Sequence, residues 1–353
     1  MVKTPFTRTA FAGSALAVAL MLGACGGTSS SQEVMKASTN QKGGFMGLVK
    51  RSDVEVTTPA AFKGKQKIVV GGFTVGFDVV KIDSRKAGGG LMGNGFGGKS
   101  SAYSKLSGVD NETFQAVTEQ TYKDFVAKLK QAGYEVVEPE VFLAHSSVKS
   151  AKTYDNPHIT SSGGFVTAKQ ETRFFTPAVF GKNRSFMGSI PGEAGGFGFS
   201  NPMMAAVKFA EESKIPVVYV NYKIDFATSD GHGGWASMSS SLQVGQGMTM
   251  ESDYTKVGII GGQMGTFSSA VGSMALGQPL SSDKPFAEVV DITTGTDKGL
   301  QIATNVIGAI GGIGTNSKRN YEFKSNPSDF KAAAFDVAED ANEAFVGKMQ
   351  ELR

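Results

Sequence analysis

Residues 67–83 read KIVVGGFTVGFDVVKID. Apolar residues run through this stretch with few interruptions, the pattern of a buried strand or strand pair rather than a half-exposed one. A glycine-rich segment, 88–98, follows, and then VDNETFQAVTEQTYKDFVAKLKQAG at 109–133. Phe114, Val117, Thr121, Phe125 and Leu129 keep helical spacing there. Asp110 or Asn111 is placed to cap the first turn, and Gly133 to end the last. Residues 134–137, Tyr-Glu-Val-Val, then read as a strand. Strand, helix and strand in this order favour parallel pairing, because the crossover brings the chain back to the end of the sheet it left.

A second unit of the same kind begins at Asn201-Pro202. MMAAVKFAEESK is helical, with proline in a first turn where its missing N–H is no loss. IPVVYVNYKIDFAT, 215–228, is a long strand. Further strands are predicted at 241–250, 256–260 and 287–292, a turn at Thr294-Gly295, and a short strand at 320–323. The state of 300–310, apolar but punctuated by glycine, is left open. The chain closes on an amphipathic helix from Ser328 to about Leu352, with a buried stripe of Phe330, Ala334, Val337, Ala341, Phe345 and Met349. The expected fold is therefore α/β: a mixed sheet flanked by helices in a single domain, 64–353. Long loop or hairpin insertions are expected at about 84–108, 146–200 and 228–250. Residues 163–186 and 231–250 read as projecting hairpins, the kind of decoration on which function commonly resides.

The front of the chain sets an address. Lys3 and Arg8 precede the apolar run FAGSALAVALMLG at 11–23, which ends on Ala24-Cys25-Gly26-Gly27. A basic head, an apolar middle and small residues at the end make a secretory signal. The run falls short of the about 20 apolar residues that span a bilayer as a helix. Leu22-Gly23-Ala24-Cys25 resembles the lipobox of bacterial lipoproteins. That resemblance implies a signal peptide at 1–24, cleavage before Cys25, and a lipid bilayer as partner through acylation of Cys25, as by palmitate. With Gly26 rather than Asp after the cysteine, it implies passage to the outer membrane, lipid-anchored, with the domain facing the periplasm. Cys25 is the only cysteine of the chain. Once acylated, it leaves no disulfide, thiolate nucleophile or cysteine-bound metal in the mature protein. Residues 25–63, rich in Ser, Thr, Gly, Gln and Lys, read as the lipidated cysteine and a flexible tether. An apolar patch at 45–49 interrupts the tether and is suited to docking on the domain. The chain carries 35 basic and 32 acidic residues. Without the two basic residues of the signal the balance is near neutral, so no nucleic-acid partner is expected.

One motif suggests chemistry at first sight. GNGFGGKS, 93–100, fits the phosphate-loop pattern at every specified position. Such a loop works by wrapping phosphates with backbone N–H groups between a strand and the helix that follows directly. Here the strand ends near Asp83, and the chain after Lys99-Ser100 breaks at Gly108 before its helix begins. The segment reads as a surface loop, and no cofactor is expected. Asp225 and Asp291, placed where a magnesium-binding acid would stand, read as strand ends. His145, His158 and His232 lack the i, i+4 spacing of a helical metal pair. Glu138 and Glu140 read as solvated loop acids. Phe174, Phe175, Phe180 and Phe186 read as core, with a membrane or partner patch as the other use. Asp230, His232 and Trp235, in DGHGGW, form a hairpin turn that could also be a partner or ligand loop.

The layout resembles the curli-secretion-channel lipoproteins and the related amino-terminal domain of TolB. The resemblance is carried by Lys67-Ile68-Val69-Val70-Gly71-Gly72-Phe73, by Gly133-Tyr134-Glu135-Val136-Val137, and by Val289-Val290-Asp291-Ile292-Thr293-Thr294-Gly295. The family's Gly-Ala-Asp signature is replaced by Ser213-Lys214-Ile215-Pro216, and the insert 84–108 has no counterpart. A barrel hairpin needs about ten residues of apolar/polar alternation per strand, and 231–250 shows this faintly. The expected function is that of a non-enzymatic, membrane-anchored lipoprotein of the cell envelope. It would serve assembly, export or scaffolding through contacts with envelope proteins, with a homo-oligomer left open. The alternative is a periplasmic ligand-binding protein or envelope hydrolase using the 230–235 loop.

Overall fold

The computed structural model describes residues 34–37, 53–87, 98–162, 169–193, 195–196, 198–232, 239–261, 270–293, 306–313 and 316–353. In chain order the elements are β1 (Val54–Thr57), β2 (Lys67–Lys86), β3 (Lys99–Ser107), α1 (Asn111–Gln131), β4 (Glu135–Val137), α2 (Pro139–Leu143) and α3 (Ser146–Lys149). β5 (His158–Ser162), β6 (Gln170–Phe175), α4 (Pro202–Ser213), β7 (Val217–His232), β8 (Ser239–Met250), β9 (Lys256–Ile260) and β10 (Val271–Leu276) follow. The chain ends with β11 (Leu280–Ser281), β12 (Ala287–Asp291), β13 (Val306–Ile313), β14 (Asn316–Ser325) and α5 (Pro327–Leu352). The strands join in one mixed sheet along the path β1-β10-β9-β7-β2-β3-β14-β12, with the remaining strands attached at its sides. This is the α/β class expected.

β2 is the axis, and its composition explains why. Residues 68–79 are buried without a break, because both faces of the sheet are covered there, as parallel pairing requires. On one face α1 and α5 pack Phe114, Phe125, Phe330, Val337 and Phe345 against Phe73, Val75, Phe77 and Tyr222. On the other, α4 brings Met203, Ala206 and Phe209 to Val69, Val217, Tyr219 and Ile260. Each fully buried phenylalanine contributes about 1.5–3 kcal/mol of transfer free energy. The crossover through α1 is set locally: Asp110 accepts the N–H of Thr113 at 2.8 Å, and Gly133 ends the helix at φ +84°. β4 then pairs parallel with β2, Lys67 opposite Glu135. Asn342 of α5 ties the helical layer to the sheet. It accepts from the Tyr222 hydroxyl at 2.8 Å and donates to the Thr121 carbonyl at 3.0 Å.

Several boundaries differ from expectation. β1 lies inside the stretch 25–63 read as tether and pairs antiparallel with β10, so the folded part starts before residue 64. Residues 34–37 are also held against the sheet, at β8. The compact unit that contains them runs from Gln32 to Arg353. Where loop or hairpin insertions are expected at 84–108 and 228–250, the described residues form antiparallel strand pairs that extend the sheet. β2 continues to Lys86 and pairs with β3, and β7 continues to His232 and pairs with β8. Within 146–200, β5 and β6 form an antiparallel hairpin. The undecided stretch near 300–310 contains β13, whose register on β8 shifts between Ile307 and Ile310, in keeping with its glycines. The patch at 45–49 lies outside the described residues.

The sheet forks. β2 and β7 run parallel from Val69 opposite Val217 to Phe77 opposite Ile224, and there they part. From Val80 onward β3 takes the place of β7 beside β2, while β7 continues with β8. β6 lines the opposite side of β2, with a register shift at Asp78–Val80, and β7 shifts on β8 at Asp225–Ala227. A bulge therefore sits on each prong where it leaves the common sheet, as strand bending requires.

Candidate functional site

Side chains of successive strand residues point to opposite faces. Phe77 and Val79, Tyr222 and Ile224, and Met248 and Met250 all pack into the core under α1 and α5. Their neighbours Asp78, Lys223 and Glu251 therefore turn to the other face, where Asp225 and, beyond the bulge, Lys81 and Asp83 join them. Six charged groups line the crotch of the fork, with side-chain exposures from 4 % at Asp225 to 26 % at Glu251.

The lysines stitch the prongs together. Lys81 of β2 pairs with Asp225 of β7. It also donates to the Ala227 carbonyl at 2.8 Å and lies 3.6 Å from Asp83. Lys223 of β7 sits 2.9 Å from Asp78 of β2 and 3.1 Å from Glu251 at the end of β8, with the Tyr254 ring 5.1 Å away. Neutral donors complete the carboxylate shells. Thr172 of β6 donates to Asp78, Ser229 to Asp83 at 2.9 Å, and the Ala227 N–H to Asp225 at 3.0 Å. Where β7 has left β2, side chains replace the missing ladder of backbone hydrogen bonds.

Four carboxylates face two ammonium groups, so the crease carries an excess of negative charge when all are ionised. Burial pushes the carboxyls of Asp78 and Asp83 above their usual range against the opposing pull of Lys223 and Lys81. Glu251 is pushed up to about 7, again by burial first, with Asp225 and Asp78 adding to the effect and Lys223 opposing it. The acids around Lys81 and Lys223 outweigh the desolvation of both amines and raise them, keeping both charged. Neither lysine is a nucleophile at neutral pH. Oxygens of Asp78, Asp225 and Glu251 lie within 4.8 Å of one another, a separation that suits a cation, but the Lys223 ammonium already stands between two of them. The arrangement is an ion-pair network in which burial raises the carboxyls of Asp78, Asp83 and Glu251 together.

The residues singled out from the sequence fall elsewhere or change meaning. Asp225 is not a strand end. It lies inside the sixteen-residue β7 and is the most buried carboxylate of the crease, whereas Asp291 does end β12 and pairs with Arg319 at 2.9 Å. Asp230 is exposed near the far end of β7, its carboxylate accepting the Gly231 N–H at 2.8 Å. His232 is the last residue of β7. Trp235 and Cys25 lie outside the described residues. Lys99 and Ser100, the end of the phosphate-loop pattern, open β3 instead of a helix, and the Ser100 hydroxyl lies 2.9 Å from that of Ser240 on β8. No helix opens directly after Ser100; the next, α1, begins at Asn111 beyond the end of β3. His145 bonds Ser147 and Glu212, and His158 bonds Glu193. Glu138 stands at the N-cap position of α2 without a side-chain capping bond and Glu140 lies in the first turn, and both are exposed. Phe174, Phe175, Phe180 and Phe186 are buried, as the core reading required.

The crease itself carried a signal that periodicity passed over. Asp78, Lys81 and Asp83, and again Lys223 and Asp225, interrupt two of the most apolar strands of the chain. Charges placed inside buried strands must be paired with one another. No family model, curated protein or solved structure matches this chain.

Proposed function

We propose that this chain is a membrane-anchored lipoprotein of the cell envelope. It is held through acylated Cys25 at the outer membrane, faces the periplasm, and works through contacts with other envelope proteins. The anchor in this reading is supported by the apolar run 11–23 that ends on the chain's one cysteine; the contact role is supported by the fork and the open edges of the sheet. Two strand pairs continue past the helix-covered core, and their divergence is held by a crease whose lysines and acids are spent on one another. The edge strands β1 and β12 each have one strand neighbour among the described residues, and an open edge can accept a strand from another chain. Among the described residues, no helix is long and apolar enough to cross a membrane; the anchor in this reading is the acyl chain on Cys25. More than one such chain is needed for stable attachment.

The test is fractionation with palmitate labelling of the wild type and Cys25→Ser. The variant is expected to lose both label and membrane association. Unchanged labelling and fractionation would defeat the anchor. Crosslinking in intact envelopes followed by light scattering of the detergent-extracted protein then reads partners and oligomeric state. The alternative, a ligand-binding or hydrolytic role for Asp230, His232 and Trp235, predicts that Asp230→Asn with His232→Ala abolishes turnover or binding while the fold survives.

A further inference from the structure

β8 has a composite outer edge. Residues 239–245 pair with β13, Thr249 and Met250 pair with β11, and the Met248 carbonyl receives the Ser282 N–H at 3.0 Å. One position between these partners, Gln246, is filled by a residue from far upstream: Met35 donates its N–H to the Gln246 carbonyl at 2.8 Å. Two glycines make room for it. A Cβ on Gly247 would lie 2.1 Å from the Met35 carbonyl oxygen, and one on Gly245 would lie 3.0 Å from the Met35 Cβ. Neighbouring contacts fix the segment further. The Ala37 N–H donates to the Ser281 hydroxyl at 3.2 Å, and Lys36 pairs with Asp283 at 2.7 Å.

We infer that Val34–Ala37 is the point at which the membrane leash is fastened to the domain, so that the β8–β11 flank is the surface held next to the lipid. The inference rests on the proposed acylation of Cys25. Nine peptide links join Cys25 to Val34, at most about 30 Å of chain. Were the fastening point β1 instead, the leash would be roughly three times as long. The exposed Lys36–Asp283 pair adds little holding strength. The backbone hydrogen bond and the glycine-lined notch carry the attachment, which makes it a matter of shape and chain direction rather than of charge.

The full-length lipoprotein, labelled with a donor dye at Glu343→Cys, is reconstituted into phosphatidylethanolamine–phosphatidylglycerol vesicles that carry a lipid-phase acceptor. A twenty-residue Gly-Ser insertion is placed between Gln32 and Glu33 in one variant and between Thr39 and Asn40 in another. Such an insertion adds about 25 Å of root-mean-square reach. Energy transfer is expected to fall on insertion at 32/33 and to stay at the wild-type level on insertion at 39/40. Adding Met35→Pro, which removes the donating N–H, is expected to make the 39/40 insertion behave like the other. Equal falls from both insertions, or no fall from either, would overturn the inference. Vesicle binding that survives Cys25→Ser would instead defeat the anchoring premise, a separate outcome.

Discussion

Replacing Glu251 with glutamine tests the account of the fork directly. The carboxyl is pushed from 4.5 to about 7 in the folded protein, so the native state holds its proton over a pH range in which the unfolded chain has released it. The sign follows from linkage. Below pH 4.5 both states are protonated and Glu251 is neutral in its effect. As pH rises from 4.5 to 7 the folded protein loses relative stability, and above 7 the full penalty applies. Each pKa unit corresponds to about 1.4 kcal/mol. With solvent reaching a quarter of the side chain, the ionised carboxylate costs the fold about 2–3 kcal/mol at pH 8. Glutamine keeps an oxygen that can accept from Lys223 but never ionises. Denaturant unfolding of wild type and Glu251→Gln from pH 4 to 8.5 should therefore give stabilities that converge at the acid end and separate as pH rises above 4.5. At pH 8 the variant should be more stable by about 2–3 kcal/mol. Lys81 and Lys223, raised by their acidic neighbours, stay charged throughout the window and add no slope. Parallel pH profiles, or a variant less stable than wild type at pH 8, would refute the reasoning.

Asp225→Asn should act in the opposite direction, because it leaves the buried Lys81 ammonium with the Ala227 carbonyl and with Asp83, at 3.6 Å, as its remaining ion-pair partner. A loss of about 2–4 kcal/mol is expected. Lys67→Ala, which breaks an exposed pair with Glu135, should cost less than about 1 kcal/mol in the same denaturation assay. Gly108→Ala should cost at least about 2 kcal/mol, since φ is +78° and the new Cβ would lie 2.1 Å from the Ser325 carbonyl oxygen. Gly64→Ala has a similar φ of +70° but nothing within 4 Å. It should cost about 1 kcal/mol, and thermal unfolding of the pair separates strain from collision.

What could be read from the chain alone was whatever depends on near neighbours. The capping Asp110, the terminating Gly133, the stripe on α5 and the apolar run of β2 are local facts, and helices and strands followed from them closely. The proposed compartment rests on a dozen apolar residues and one cysteine, also local. Tertiary structure decided matters of register and edge. No nearby residue says that β7 leaves β2 at Ile224, or that β3 takes its place at Val80. Nor does any say that Met35 fills the single gap at Gln246. β3 is a sequence neighbour of β2, with Lys86 opposite Lys99. Its rival β7 lies more than a hundred residues further on, and Met35 is as remote from Gln246, so the outcomes depend on pairings that near neighbours do not encode. The charged crease follows from the same cause. Asp78 and Asp225 become partners of lysines on each other's strand only once the two strands lie side by side and then part, so their chemistry is a property of the fork rather than of either segment.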